Sequence, residues 1–161
     1  MTDRRSDIIS QLENSLHASI AFYRSLKPEE LNVTVYEDGE SWTVLQVLAH
    51  LITIEQSMQW LFNNILSGGP GAPPDFDVER FNRSQPKKLF NLDLDELIRQ
   101  FSSVREITIS IVRNMDENDL DREGVHAYHG HGKLERFIRW AYEHQRIHAD
   151  EIRRALQNSV G

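Results

Sequence analysis

The chain has 161 residues, 39% of them hydrophobic and 27% charged, which suits a single soluble domain over 1–161 with a sizeable core. A formal net charge of −7 argues against a nucleic-acid or anionic-membrane partner, since both surfaces call for concentrated Lys and Arg, and it points to a small-molecule substrate. With no cysteine, disulfides, a thiolate nucleophile and cysteine-built zinc sites are excluded. Neither a signal-type apolar region nor an apolar run of about 18 residues occurs, so the expected location is the cytoplasm.

The first helix is predicted from Ser6 to about Leu26, with Ile8, Leu12, Leu16, Ile20 and Tyr23 at helical spacing and Pro28 after them. His17 lies off that stripe, on the solvated side. Lys27 to Trp42 reads as a connection across one end of a bundle, with a β-like run Val33 to Tyr36 and a turn signal at Asp38-Gly39. Thr43 and Gln46 make a T-x-x-Q capping box that opens a second helix, whose buried stripe is Val44, Val47, Leu48, Leu51, Ile54, Met58, Leu61 and Ile65. Gln46, His50 and Ser57 sit on one edge of that stripe and Glu55 on the other. Trp42 and Trp60 are expected to pack or to face a partner rather than to stack on a cofactor.

Gly68 to Pro74 is a Gly/Pro cluster that stops the second helix, and a long loop runs on to Leu92, with one helical turn around Val78 to Asn82. Loops of that length are uncommon unless functional, so Arg80, Asn82 and Arg83 are candidates to face a ligand, set against the plainer expectation of a solvated loop. Asp93 and Glu96 start a third helix that Leu97, Phe101, Val104, Thr108, Ile111 and Met115 carry to about Asp116, with Arg105 expected in solvent at its flank. Glu117 to Gly132 is polar and holds His126, His129 and His131 among glycines, a pattern that points to solvent exposure or adventitious metal binding. Leu134 to about Leu156 is the fourth helix.

Four amphipathic helices without an internal repeat predict an all-α, antiparallel-type four-helix bundle. The central connection can run the length of a helix, roughly 37 Å for about 25 residues, so helices two and three can run parallel.

The last helix carries His144-Gln-Arg-Ile-His148, two histidines at i and i+4 that suit a chelate around one metal ion. They share a stripe with Phe137, Ala141, Ile152 and Ala155, so both imidazoles point toward the core. A polar ring left unpaired there costs on the order of 1 to 3 kcal/mol, so it must be paired or metallated. His50, beside Val47 and Ile54, can be brought to the pair and complete a three-ligand site. Histidine-only ligation suits zinc or nickel, then iron or copper, over magnesium or calcium. Three protein ligands leave a position open, where the ion polarises a substrate oxygen or acidifies a water or thiol. Because ligating imidazoles must be neutral, metal loss is expected below about pH 6, near and under the free histidine pKa of about 6.5.

Two other metal sites fit poorly. A ferritin-like di-iron centre wants two helical E-x-x-H units, and Glu123-Gly-Val-His126 falls in a Gly-rich segment; a zincin wants H-E-x-x-H, and Gln145 stands where its Glu would be. Glu151, at +7 from His144 and +3 from His148, returns to nearly the same angular position as the pair. It can orient an imidazole, take a proton from the nucleophile, or ligate the metal; the plain alternative is a solvated carboxylate near Arg154.

Three segments carry a resemblance. Ser41-Trp-Thr-Val-Leu-Gln-Val-Leu-Ala-His50-Leu, then Asp77 to Asn82, then Tyr142-Glu-His144-Gln-Arg-Ile-His148-Ala-Asp-Glu-Ile152 resemble the DinB/YfiT-like family of metal-binding four-helix bundles, over almost the whole chain. The resemblance implies an up-down-down-up topology with a long crossover between helices two and three, a divalent metal on His50, His144 and His148, and homodimers. Characterised relatives include S-transferases that use bacillithiol, mycothiol or glutathione and the mycothiol-dependent maleylpyruvate isomerase, which implies a low-molecular-weight thiol as co-substrate. One position departs from the family pattern: Glu151 stands where Gln is expected and adds negative charge near the metal.

Two function classes follow. The first is an enzyme in which the metal activates a small thiol for S-transfer or isomerisation, with Glu151 as the catalytic carboxylate and the Gly68 to Asn91 loop shaping the pocket. The second is a non-catalytic, metal-stabilised dimeric binding or stress-response protein. An open coordination position beside a cavity favours the first, and a closed shell the second.

Overall fold

The computed structural model describes residues 3–36 and 41–160, so the turn signal at Asp38-Gly39 lies outside the described residues. Helix α1 (Arg4–Ser25) begins earlier than its apolar spacing suggests, because the Asp3 carboxylate caps it by accepting the Arg5 N–H at 2.8 Å. Strand β1 (Thr34–Tyr36) pairs antiparallel with β2 (Trp42–Thr43), which is what the β-like run becomes. Helix α2 (Val44–Leu66) opens on the predicted capping box, with Thr43 Oγ1 accepting the Gln46 N–H at 3.3 Å and Gln46 Oε1 accepting the Thr43 N–H at 2.9 Å.

The long loop after α2 is partly helical. Asp77 accepts the Arg80 N–H at 3.0 Å and starts α3 (Val78–Ser84), and a 3-10 turn at Pro86–Leu89 follows. Helix α4 (Leu94–Asn114) is capped by Asp93, whose carboxylate accepts the Glu96 N–H at 2.9 Å. The polar histidine-rich segment, expected to be a flexible loop, forms a hairpin of β3 (Glu123–His126) and β4 (Gly130–Lys133). Its alternation is real but disguised, since the inward positions of β3 are Gly124 and His126 rather than two apolar residues. Helix α5 (Leu134–Val160) runs on past Leu156.

Ile8 and Leu12 of α1, Phe62 and Ile65 of α2, Ile109 and Val112 of α4, and Leu134 and Phe137 of α5 share one apolar cluster. Leu16 and Tyr23, Val44 and Val47, Leu97 and Phe101, and Ile152 share the other. Helices α1 and α5 therefore run from the first cluster to the second, and α2 and α4 run back. Helix α1 packs against α4 and α5, and α2 likewise packs against α4 and α5.

Between the clusters lies the one large departure from the sequence reading of the core. Arg105, expected in solvent, is fully buried, and its Nε and Nη2 donate to the two Glu55 carboxylate oxygens at 2.8 and 2.7 Å. Its Nη1 donates to the Leu12 carbonyl at 2.9 Å, Thr108 Oγ1 donates to Glu55 Oε2 at 2.8 Å, and Gln145 Nε2 reaches Glu55 Oε1 at 3.4 Å. A residue at the edge of an apolar stripe goes where its charge is answered, and Glu55, at the edge of α2's stripe, answers it.

Candidate metal centre

His50 lies in the second turn of α2, and His144 and His148 lie one turn apart on α5. Their ligating nitrogens all fall within 4.8 Å of one another, and the Nε2 atoms of His144 and His148 are 2.8 Å apart. The His50 ring packs 4.9 Å from that of Trp42, which is buried as expected and supports the histidine from below. His50 Nδ1 is enclosed and has no hydrogen-bond partner among the described residues. Burial, with the neighbouring imidazoles adding to it, pushes the pKa of His50 down to about 3 and that of His144 down to about 2. Burial lowers His148 as well, against the opposing pull of Glu151. At neutral pH all three rings therefore present lone pairs, and one of them is otherwise unanswered. That donor set fits a borderline divalent cation such as zinc or nickel better than an oxygen-seeking one.

The same values fix the direction of an acid response. Because His50 and His144 titrate in the folded chain far below the ordinary 6.5, the unfolded chain binds protons that the folded chain refuses. Stability is intact above about pH 6.5 and falls as pH drops from there toward the folded values. Protons then reach the ligands only as the bundle opens, rather than by titrating them in place. An acid titration followed by both circular dichroism and metal release should give one shared midpoint, below about pH 6. Metal leaving while helicity is intact would show that the imidazoles titrate in the folded state.

The triad opens on a cavity of about 570 Å³ between α2 and α5. Helix α2 lines it with His50, Ile54, Ser57 and Trp60, and α5 with Trp140, His144, Ile147, His148 and Glu151. The α2–α4 connection adds Phe76, Phe81 and Asn82, and the hairpin adds His126 and Tyr128. Connection and hairpin close over the site together because they are hydrogen-bonded to each other. The Ala72 N–H donates to the Val125 carbonyl at 2.7 Å and the Val125 N–H to the Pro70 carbonyl at 2.9 Å. Gly71 sits between at φ +97°, where a Cβ would collide with the Val125 backbone, so only glycine allows this approach.

Of the loop residues singled out from the sequence, Asn82 lines the cavity with its Oδ1 enclosed and without a hydrogen-bond partner among the described residues, while Arg80 and Arg83 are exposed. Trp60, 55% exposed, stands at the cavity mouth. Glu151 lines the cavity as its spacing predicts, with Oε2 3.7 Å from His148 Nδ1 and making no hydrogen bond among the described residues. The sequence reading missed His126, expected in solvent and in fact buried against Phe137 at 5.1 Å between ring centroids. The cue lay in the alternation of Gly124 and His126 before the hairpin turn.

The helical bundle gathers three neutral imidazoles, a set that could hold a metal ion, on the wall of a cavity lined by aromatic and aliphatic side chains. The sequence profile of the DinB superfamily matches residues 11–152, and the chain belongs to that superfamily. A protein of Oceanobacillus iheyensis that carries the provisional name metal-dependent hydrolase is 26% identical over 153 residues, 95% of this chain and 86% of that protein. YfiT from Bacillus subtilis, described as a probable metal-dependent hydrolase with an unusual four-helix bundle topology, is similar in structure with a TM-score of 0.78 at 17% identity, over 99% of this chain and 89% of that one. The colibactin self-resistance protein ClbS, solved in complex with double-stranded DNA, gives a TM-score of 0.72 at 10% identity, over 98% and 96% of the two chains. At these identities the structural likeness is one of fold. A protein of this fold has been solved with DNA bound, so the fold runs against the exclusion of nucleic acid drawn from net charge and does not itself support it. No helix among the described residues is long and apolar enough to cross a membrane.

Proposed function

We propose that this chain is a metal-dependent enzyme of small-molecule chemistry. In this reading a divalent metal, zinc or nickel, sits on His50, His144 and His148, and a low-molecular-weight thiol is the nucleophile delivered to an electrophile in the cavity. The observation that carries the reading is the cavity itself: about 570 Å³ beside a three-nitrogen donor set, where a purely structural site would be closed by a fourth protein ligand. Such a volume admits a substrate, which favours this reading over a non-catalytic, metal-stabilised dimer. The homodimer implied by the family resemblance belongs to the same proposal, and sedimentation velocity reads it.

When bound, a divalent ion supplies Lewis acidity and lowers the pKa of the nucleophile's proton toward neutrality. The chain does the rest. The three imidazoles would hold the ion between α2 and α5, Glu151 Oε2 would receive the nucleophile's proton or steady His148, and the cavity walls would bound the space a substrate fills. Hydrolysis is the second reading. It is favoured by the names that the relatives carry and by Glu151, which can take a proton from water as readily as from a thiol.

Protein purified without an affinity tag, with and without chelator, can be assayed for consumption of bacillithiol, mycothiol and glutathione with 1-chloro-2,4-dinitrobenzene, and for cleavage of 4-nitrophenyl esters. Chelator-sensitive thiol consumption supports S-transfer, and thiol-independent ester cleavage supports hydrolysis. Metal-loaded protein inert in both screens speaks for the binding role. Glu151→Gln keeps the shape and removes the charge, and it is expected to weaken metal affinity or turnover by roughly 10- to 100-fold. If both stay within about twofold of the parent, Glu151 is a surface residue.

A further inference from the structure

His126 takes no part in holding the metal, yet the hairpin builds a defined environment around it. Its Nδ1 accepts two backbone N–H groups, from Tyr128 at 3.0 Å and from His129 at 3.1 Å, across the β3–β4 turn. A nitrogen that accepts twice carries no proton, so in the neutral ring the proton sits on Nε2. The ring is neutral, since burial and the nearby His129 and Arg136 push its pKa down to about 4. Among the described residues both of its hydrogen bonds end on Nδ1, and the ring lines the cavity, so one Nε2–H donor remains for whatever enters. The cavity it lines is mostly apolar, with Trp60, Phe76, Phe81 and Trp140 among aliphatic side chains such as Ile54, Met58 and Ile147.

We propose that the cavity takes a small molecule with a flat, unsaturated body and a carbonyl-type acceptor, and that His126 donates from Nε2 to that acceptor while the aromatic walls pack on the body. This rests on reading the cavity as the substrate site. Aromatic side chains favour planar partners by stacking and edge contacts, and a single fixed donor in a mostly apolar pocket favours a molecule with an acceptor over one without. His126 is thus a specificity-determining residue, and the turn that occupies its Nδ1 is the device that fixes its tautomer.

Acetophenone and α-methylstyrene test the idea, since they share a shape and differ in having C=O or C=CH₂. Quenching of tryptophan fluorescence reports their binding, with Trp60 and Trp140 on the cavity wall. The parent protein is expected to bind acetophenone roughly three- to tenfold more tightly, the worth of one hydrogen bond. In His126→Asn the side-chain oxygen can still accept the Tyr128 and His129 N–H groups, while the amide nitrogen falls near the place of the ring Cδ2 and stops short of the Nε2 position, so the preference is expected to fall to about one. Chelation should leave the parent's preference unchanged. A preference that survives in His126→Asn and vanishes on chelation overturns the role of His126 while leaving the metal reading intact. A preference lost in His126→Asn from protein that never held metal supports this inference whatever becomes of the metal reading. Equal affinity for the pair, or no binding of either, overturns the inference. Should the variant fail to fold, nitrogen-15 correlation spectra of the parent's imidazoles decide: an Nε2–H tautomer whose resonance moves on adding acetophenone supports it, and an Nδ1–H tautomer overturns it.

Discussion

Untagged protein is expected to carry about one equivalent of divalent metal, and the variant combining His50→Ala, His144→Ala and His148→Ala to carry none. The three nitrogens that lie within 4.8 Å of one another come from two helices, so an ion there clips α2 to α5 as well as filling the site. Ligation by folded-state nitrogens alone links binding to folding. At a free metal concentration about a thousand times the Kd, the parent should gain roughly 4 kcal/mol of stability over its metal-free form, and the triple variant nothing. Elemental analysis and thermal melts with and without zinc measure the two effects together. One tightly held equivalent surviving in the triple variant would move the site to the hairpin histidines. That outcome has a handicap visible in the structure, since His126 Nδ1 is already engaged by two backbone N–H groups and His131 is exposed.

The parts of this site that could be read in the sequence are those set by helical periodicity. His144 and His148 lie four apart within an apolar stripe, and His50 edges the stripe of a helix that begins at a recognisable capping box, so pattern alone aims all three inward. Glu151 follows by the same arithmetic. What escaped depends on contacts between elements distant in sequence. Arg105 looks like a flank residue until Glu55, fifty positions earlier, is placed beside it. His126 looks like a loop residue until the hairpin folds back on Phe137 and its strand is bonded to the chain around Gly71. A glycine and a histidine at inward strand positions carry no hydrophobic signal, so a period of two cannot be heard there.

The second large effect is expected from the buried ion pair. Glu55→Ala removes both carboxylate acceptors of the Arg105 guanidinium and leaves it the Leu12 carbonyl at 2.9 Å and the Ala141 carbonyl at 3.4 Å. A guanidinium cannot shed its proton, so the charge stays, buried and unanswered, and stability should fall by about 3 to 5 kcal/mol. Arg105→Met is expected to cost less, because a carboxylate left alone can take up a proton and keep the Thr108 hydroxyl at 2.8 Å as a partner. Replacing both residues, Glu55→Ala with Arg105→Met, removes the unpaired charge altogether, so its cost should be well below the sum of the single changes. Urea unfolding of the four proteins gives the coupling directly. Near-additive losses would mean that the pair contributes packing rather than charge compensation. The ion pair also bears on the site, because Gln145, the neighbour of His144, reaches Glu55 Oε1 at 3.4 Å while accepting the Ser15 hydroxyl at 2.5 Å. Those bonds tie α5 to α2 and α1 one residue away from His144. Glu55→Ala should therefore also lower metal retention in elemental analysis, even at temperatures where circular dichroism shows the bundle intact.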